Sequence, residues 1–160
     1  PMTAISRFMS TMLEQLFLLV PSTIVVLAIA LVTGEPLSLA WVLLPAIFAG
    51  QAVFNLGGGF IAARITDTFR DFENVLPYVF RILFYASGVL FSVDAYATAP
   101  GLRSLFNLNP IYAYITLARW AILGEAVGAP IILSAVGWTI ALIVIGFIYF
   151  HRAEHLYGRG

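Results

Sequence analysis

Long apolar runs separated by short charged phrases set the pattern of this chain. Gln15 to Gly34 is free of charge for 20 residues, Pro36 to Ala63 for 28, and Ala126 to Phe150 for 25. A membrane span needs about 20 mostly apolar residues at ~1.5 Å rise each, so all three runs are long enough to cross a bilayer with some tilt. A fourth run, Asn74 to Val93, is also 20 residues long but holds Arg81, a charge that insertion scales penalise by about 2.5 to 3.5 kcal/mol at mid-helix. It is read as a span whose arginine avoids lipid. The predicted transmembrane helices are therefore 15–34, 36–63, 74–96 and 126–150. None is a signal peptide, because the first run is too long, lacks a small-residue cleavage site and is followed by further spans.

The apolar stretch from Leu102 to Leu123 is different. Asn107, Asn109 and Pro110 interrupt it, and Arg103 and Arg119 charge it. Two short helices within 100–124, about Gly101 to Leu105 and Pro110 to Gly124, fit better than a span, as a re-entrant or interfacial helical hairpin. Pro110 suits a first helical turn, where its missing N–H costs nothing, and Asn109 suits the cap before it. At the chain start, Met2, Ile5, Phe8 or Met9, and Met12 recur at three- and four-residue spacing among polar residues. Residues 1–14 thus read as an amphipathic cytoplasmic helix at the membrane surface. It is either an extension of the first span or a docking element for a soluble partner.

Arginine counts set the orientation. With the N-terminus inside, the cytoplasmic side collects Arg7, Arg64, Arg70, Arg152 and Arg159, with Arg81 close by, against Arg103 and Arg119 outside. The positive-inside rule then places both ends of the segment in the cytoplasm. Gly34 to Leu37 becomes a tight external turn, Ile65 to Glu73 a cytoplasmic loop, Asp94 to Glu125 an external segment and 151–160 a cytoplasmic tail. The fold class is an all-α polytopic membrane protein, with 1–160 as a single transmembrane domain. Pro1 is no natural initiator, so the chain reads as the continuation of a longer protein.

Composition narrows the chemistry. The 160 residues are 61% hydrophobic and 10% charged, far from the roughly 25% charged content of soluble domains. Eight arginines balance eight carboxylates, so no basic excess exists to neutralise nucleic-acid phosphates. Cysteine is absent, and so is lysine. Without lysine there is no Walker A loop, and any ATP-driven step belongs to another polypeptide.

At 100° per residue, Tyr78, Arg81, Tyr85, Gly88, Ser92 and Tyr96 share one face of the 74–96 helix, while Phe80, Phe84, Ser87 and Phe91 share the opposite one. Tyr hydroxyls and Arg81 need partners away from lipid. A belt of interfacial tyrosines with a snorkelling arginine accounts for the ends of this helix. Tyr85 is left over, which favours the wall of a hydrated path. On the second run, Gly57-Gly58-Gly59 has no following lysine and reads as helix packing, through Ala46 with Gly50, Gly58 with Ala62 and Gly59 with Ala63. Gln51 and Asn55 are expected to hydrogen-bond across helices. Pro21 predicts a kink, with Ser22 or Thr23 helping to satisfy the freed carbonyl.

The order of a proline-led amphipathic segment, two spans, the phrase Phe69-Arg70-Asp71-Phe72-Glu73, an aromatic span, the phrase Leu108-Asn109-Pro110-Ile111 and a last span resembles the ABC-2-type permeases. Within them it is most similar to the branch exporting O-antigen, teichoic acid and mycobacterial galactan. The resemblance implies six spans in the whole protein, two of them and a further amphipathic helix preceding Pro1. It implies a homodimer in the bacterial inner membrane, paired with an ATP-binding cassette subunit that holds the ATP and magnesium, and no cofactor in this chain. It also implies that Met2, Ile5, Phe8 and Met9, with Arg70 and Asp71, face that ATPase, and that the cargo is a lipid-linked polysaccharide. An aromatic wall suits such a cargo, since sugar faces pack C–H groups on rings while hydroxyls exchange partners with Tyr. Binding should be weak and multiple along a path, as in channels. The substrate conduit would comprise Tyr78, Arg81, Tyr85, Ser92 and Tyr96; Tyr112 either extends it or anchors the membrane interface.

One pattern points to enzymology instead. His151-Arg152-Ala153-Glu154-His155 matches H-x-x-E-H, the inverted zinc-protease arrangement. A zinc site needs a third protein ligand, and only Leu156, Tyr157 and Arg159 add side chains beyond it. The alternative to a conduit without chemistry of its own is thus a membrane-embedded zinc hydrolase. No acid/base pair of carboxylates forms, because Asp94 and Glu125 are placed outside and Asp67, Asp71 and Glu73 inside.

Overall fold

The computed structural model describes residues 4–35, 38–89 and 100–157, with some side chains inside the helices, notably 4–9 and 150–157, outside the description. Every regular element among the described residues is helical. Helix α1 covers Ala4–Val32, a 3-10 turn covers Leu39–Leu43, and α2 covers Leu44–Thr68. Then come α3 (Phe72–Tyr85), α4 (Pro100–Leu108), α5 (Pro110–Leu123) and α6 (Ala129–Tyr157).

Helix α1 runs without a break from Ala4 into the first apolar run, so the start of the chain is an extension of that run rather than a separate helix over 1–14. Nothing between Ser10 and Gln15 breaks a helix, and each added residue gains a hydrogen bond once nucleation is complete. Pro21 lies inside α1. The hydroxyls of Ser22 and Thr23 donate to the Leu18 and Leu19 carbonyls, both at 2.8 Å. Those are the two carbonyls after Phe17, whose partner N–H the proline removes. The helix closes at Gly34, which takes φ +89°. There the Gly34 N–H donates to Leu31 and the Glu35 N–H to Ala30, the pairing of a Schellman cap.

Helices α2 and α6 form the most extensive helix pair among the described residues. They run side by side in the same direction: Ile47 and Phe54 pack on the cluster containing Ile131 and Ala135, and Gly57 lies against Leu142 and Gly146. On α2, positions 47, 50, 54 and 57 thus share one stripe, at alternating steps of three and four, with Gly50 against Tyr114 of α5 and Gly57 against α6. On these two helices the buried glycines are Gly57 and Gly146. Of the expected small-residue pairs, Ala46 with Gly50, Gly58 with Ala62 and Gly59 with Ala63, Gly50 lies close to Tyr114, whereas a Cβ on Gly58 would meet only a Leu142 methyl at 3.8 Å. Gln51 and Asn55 make no interhelical hydrogen bond among the described residues.

Helix α5 supplies the core. Tyr112, Ala113, Tyr114, Thr116 and Ala121 are buried, with Ala113 0% exposed. The Tyr114 ring packs on Phe54 at 5.8 Å between centroids, and its hydroxyl bonds Thr139 of α6. Asn109 separates α4 from α5, and Trp138 Nε1 donates to the Leu108 carbonyl at 2.7 Å. Trp138 lies nine residues into α6, about 14 Å along its axis. The α4–α5 junction therefore sits well along α6 rather than at its end, and α5 returns toward the start of α2, where Trp41 Nε1 donates to the Ile122 carbonyl at 3.4 Å.

Among the described residues two segments, Leu39–Thr66 and Ala129–Tyr149, are long and apolar enough to cross a membrane, and Phe17–Val32 is a shorter apolar stretch. Little of either long segment is buried inside the protein, unlike the core helices of a soluble domain. The helix expected over 74–96 closes at Tyr85, giving 14 residues, about 21 Å against the ~30 Å of a hydrocarbon core. Its end is a turn at Ala86 to Gly88, with Gly88 at φ +67°, a conformation that suits glycine. The loop expected over 65–73 shrinks to Phe69–Asp71, as α2 continues to Thr68, and α6 continues through the expected tail to Tyr157.

Candidate functional site

Three places carry the chemistry singled out in the sequence. On α3, Tyr78, Arg81 and Tyr85 share a face and are exposed, Tyr78 by 63% and Tyr85 by 55%. The Arg81 guanidinium carbon lies 5.9 Å from the Tyr78 ring centroid, within range of a cation–π attraction worth about 0.5–1 kcal/mol at an open site. The Phe face is uncovered as well, with Phe84 43% exposed and its ring 5.9 Å from that of Tyr85. Ser92 and Tyr96 lie outside the described residues.

The turn that ends α3 is held by α5. Asn109 uses both ends of its amide: the oxygen accepts from the Ile111 N–H at 3.0 Å, capping α5, and the nitrogen donates to the Ala86 carbonyl at 2.9 Å. Arg119 Nη2 reaches the Gly88 carbonyl at 3.5 Å. Between these two anchors Ser87 is 0% exposed, with its hydroxyl donating to the Phe84 carbonyl. The helical wheel placed Ser87 on the apolar face and gave it no role. Only a glycine one residue later signalled that the helix could stop there.

Tyr112 is not on the α3 face. It is buried in the core, its ring edge-on to Phe106 at 6.0 Å, and it lines a cavity of about 480 Å³. The other polar walls of that cavity are Arg103 and Asn107 of α4, Thr116 and Arg119 of α5, and Glu125 in the connection to α6; Pro130 and Ile131 supply an apolar side. Thr116 is 9% exposed, and its hydroxyl has no hydrogen-bond partner among the described residues. A buried hydroxyl left unpaired costs about 1–3 kcal/mol. Arg103 and Glu125 are exposed and Arg119 half-buried. In the sequence both arginines bear only on topology, because residues 16 positions apart reveal no common pocket until α4 and α5 fold together.

The residues expected to face the ATPase are only partly described. Arg70 and Asp71 are exposed in the α2–α3 turn, at the opposite end of α2 from the cavity. Met2 lies outside the described residues, and so do the side chains of Ile5, Phe8 and Met9. The same holds for the side chains of His151, Glu154 and His155, and no group of three metal-ligating side chains occurs among the described residues.

The family model for ABC-2 type transporters matches residues 1–123. No curated protein matches, and no solved structure matches. That family match covers both the Arg70-Asp71 turn and the Asn109 junction, and with the uncovered apolar helices it makes the chain part of a multi-pass membrane permease whose family implies an ATP-binding cassette partner. The chain belongs to the ABC-2 type transporter family.

Proposed function

We propose that this permease moves a lipid-linked polysaccharide of the O-antigen, teichoic acid or galactan type across a bacterial cytoplasmic membrane, with Tyr78, Arg81 and Tyr85 on the wall of the path. The observation that carries this reading is the open aromatic and cationic face of α3, with Arg81 beside the Tyr78 ring. Such a surface offers rings to sugar C–H faces and a cation to a diphosphate, without a closed pocket that would hold one sugar tightly. Two copies of the permease would enclose the path, since α3 is exposed on both faces in one chain. The positive-inside rule puts Arg70 and Asp71 on the cytoplasmic side with the ATPase, and the α4–α5 pair enters the membrane from the other side.

The test separates direction from depth. Tyr85 and Phe84 are neighbours at nearly the same membrane level but about 100° apart around the helix. The chain has no native cysteine, so single cysteines at 84 and 85 are treated with a water-soluble thiol reagent in the transporting complex. Labelling at 85 and protection at 84 is the expected result. Labelling at 84 but not 85 removes the conduit assignment.

A further inference from the structure

The face of α3 that carries Tyr78, Arg81 and Tyr85 is not held in place along its length. Of the described α3 side chains only Phe72, Leu76 and Leu83 are half-buried, on a single stripe, and the others are exposed. Contact along one apolar stripe is non-directional and sets the rotation of a helix only loosely. The start of α3 hangs on the short turn Phe69–Asp71, which leaves its far end to fix how it is turned.

At that end two side chains of α5 grip the backbone. Asn109 Nδ2 donates to the Ala86 carbonyl at 2.9 Å and Arg119 Nη2 to the Gly88 carbonyl at 3.5 Å. Asn109 caps α5 and Arg119 lies ten residues on; a helical side chain leans toward the N-terminus of its own helix, so the long arginine reaches back to a carbonyl beside the first. One hydrogen bond leaves a helix end free to swivel, whereas two, on either side of the fully buried Ser87, do not. The Ser87 hydroxyl and the Ala86 N–H bond back to the carbonyls of Phe84 and Ile82, which passes the orientation of the turn into the helix itself.

We propose that Asn109 and Arg119 act from α5 as positioning residues, setting the rotation of α3 and so deciding which of its faces the permease turns to the transported molecule. The consequence for transport rests on the path reading above; the rotation does not, and the two are measured separately.

The full-length permease with its ATPase carries spin labels on cysteines in place of Leu133 of α6 and of either Phe80 or Ile82 of α3, with unlabelled copies in excess so that distances stay within one chain. All three positions are exposed, and 80 and 82 stand on nearly opposite sides of α3. Asn109→Asp keeps the cap of α5 and loses the donor; Arg119→Met loses every donor at similar length, and Arg119→Lys restores one. A turn of about 60° carries a side chain ~5 Å from the helix axis through about 5 Å. In Asn109→Asp and in Arg119→Met the two mean distances should therefore change by about 5 Å in opposite senses, with transport lowered and the ATPase still bound. Arg119→Lys should restore both distances and transport, a rescue that packing of the arginine stem does not predict. Opposite changes with transport unimpaired uphold the rotation and remove the path reading instead. Distances that stay fixed, or that move together, in the variants that fold overturn the proposal.

Discussion

Gly57 of α2 and Gly146 of α6 meet backbone to backbone. A Cβ built on Gly146 falls 2.5 Å from the Gly57 carbonyl oxygen, and one built on Gly57 falls 2.5 Å from the Leu142 carbonyl carbon. Real Cβ atoms do not approach that closely, so the two helices reach this separation only because both positions lack a side chain. In lipid, where no hydrophobic drive brings helix to helix, such close approach is a main source of association.

Gly57→Ala and Gly146→Ala should therefore each destabilise the permease, although alanine is the better helix former by about 1 kcal/mol. Overpacking costs about 1–3 kcal/mol, at the upper end here because the clash is with backbone. Gly137→Ala, which meets nothing within 4 Å, should be neutral or slightly stabilising. Thermal unfolding of the three variants in one mild detergent checks the order.

Asn109 joins two helices with one side chain, and its two functions separate by substitution. Asn109→Asp keeps the cap on α5 and loses the donor to Ala86; Asn109→Ala loses both. The expected costs are about 1 kcal/mol for the lost bond and about 2 kcal/mol when the cap goes with it. Limited proteolysis near residues 86–89 should accelerate in both variants. Equal stability of Asn109→Ala and the parent would show that α5 does not hold the α3 turn.

Tyr114→Phe removes the hydroxyl bonded to Thr139 while keeping the ring on Phe54. A loss of about 1 kcal/mol is expected. Adding Thr139→Val should cost little more, because the pair is then absent as a whole, and a double-mutant cycle measures that coupling.

Charge on the amphipathic start of the chain tests coupling. Phe8→Asp or Met9→Asp should lower transport at a given rate of ATP hydrolysis while the permease stays folded, as truncation of an interface anchor does. Unchanged transport and unchanged co-purification of the ATPase would remove these residues from the coupling surface. Arg70→Ala in the α2–α3 turn is expected to act in the same direction.

What the chain determined by itself is local. Apolar run length marked 36–63 and 126–150 as membrane segments, overlapping the apolar helical segments Leu39–Thr66 and Ala129–Tyr149, because crossing hydrocarbon requires a set number of largely uncharged residues. Asn109 before Pro110 marked a helix start, because capping involves only neighbours in the chain. Tertiary structure decided the rest. Which member of Gly57-Gly58-Gly59 packs depends on how α2 is rotated toward α6, and neither helix alone sets that angle. A continuous wheel over 74–96 took no account of Ser87 and Gly88, whose turn is held by Asn109 and Arg119 from a helix more than 20 residues away. Arg103 and Arg119 became a pocket for the same reason: charges on separate helices share a site only once packing brings those helices together.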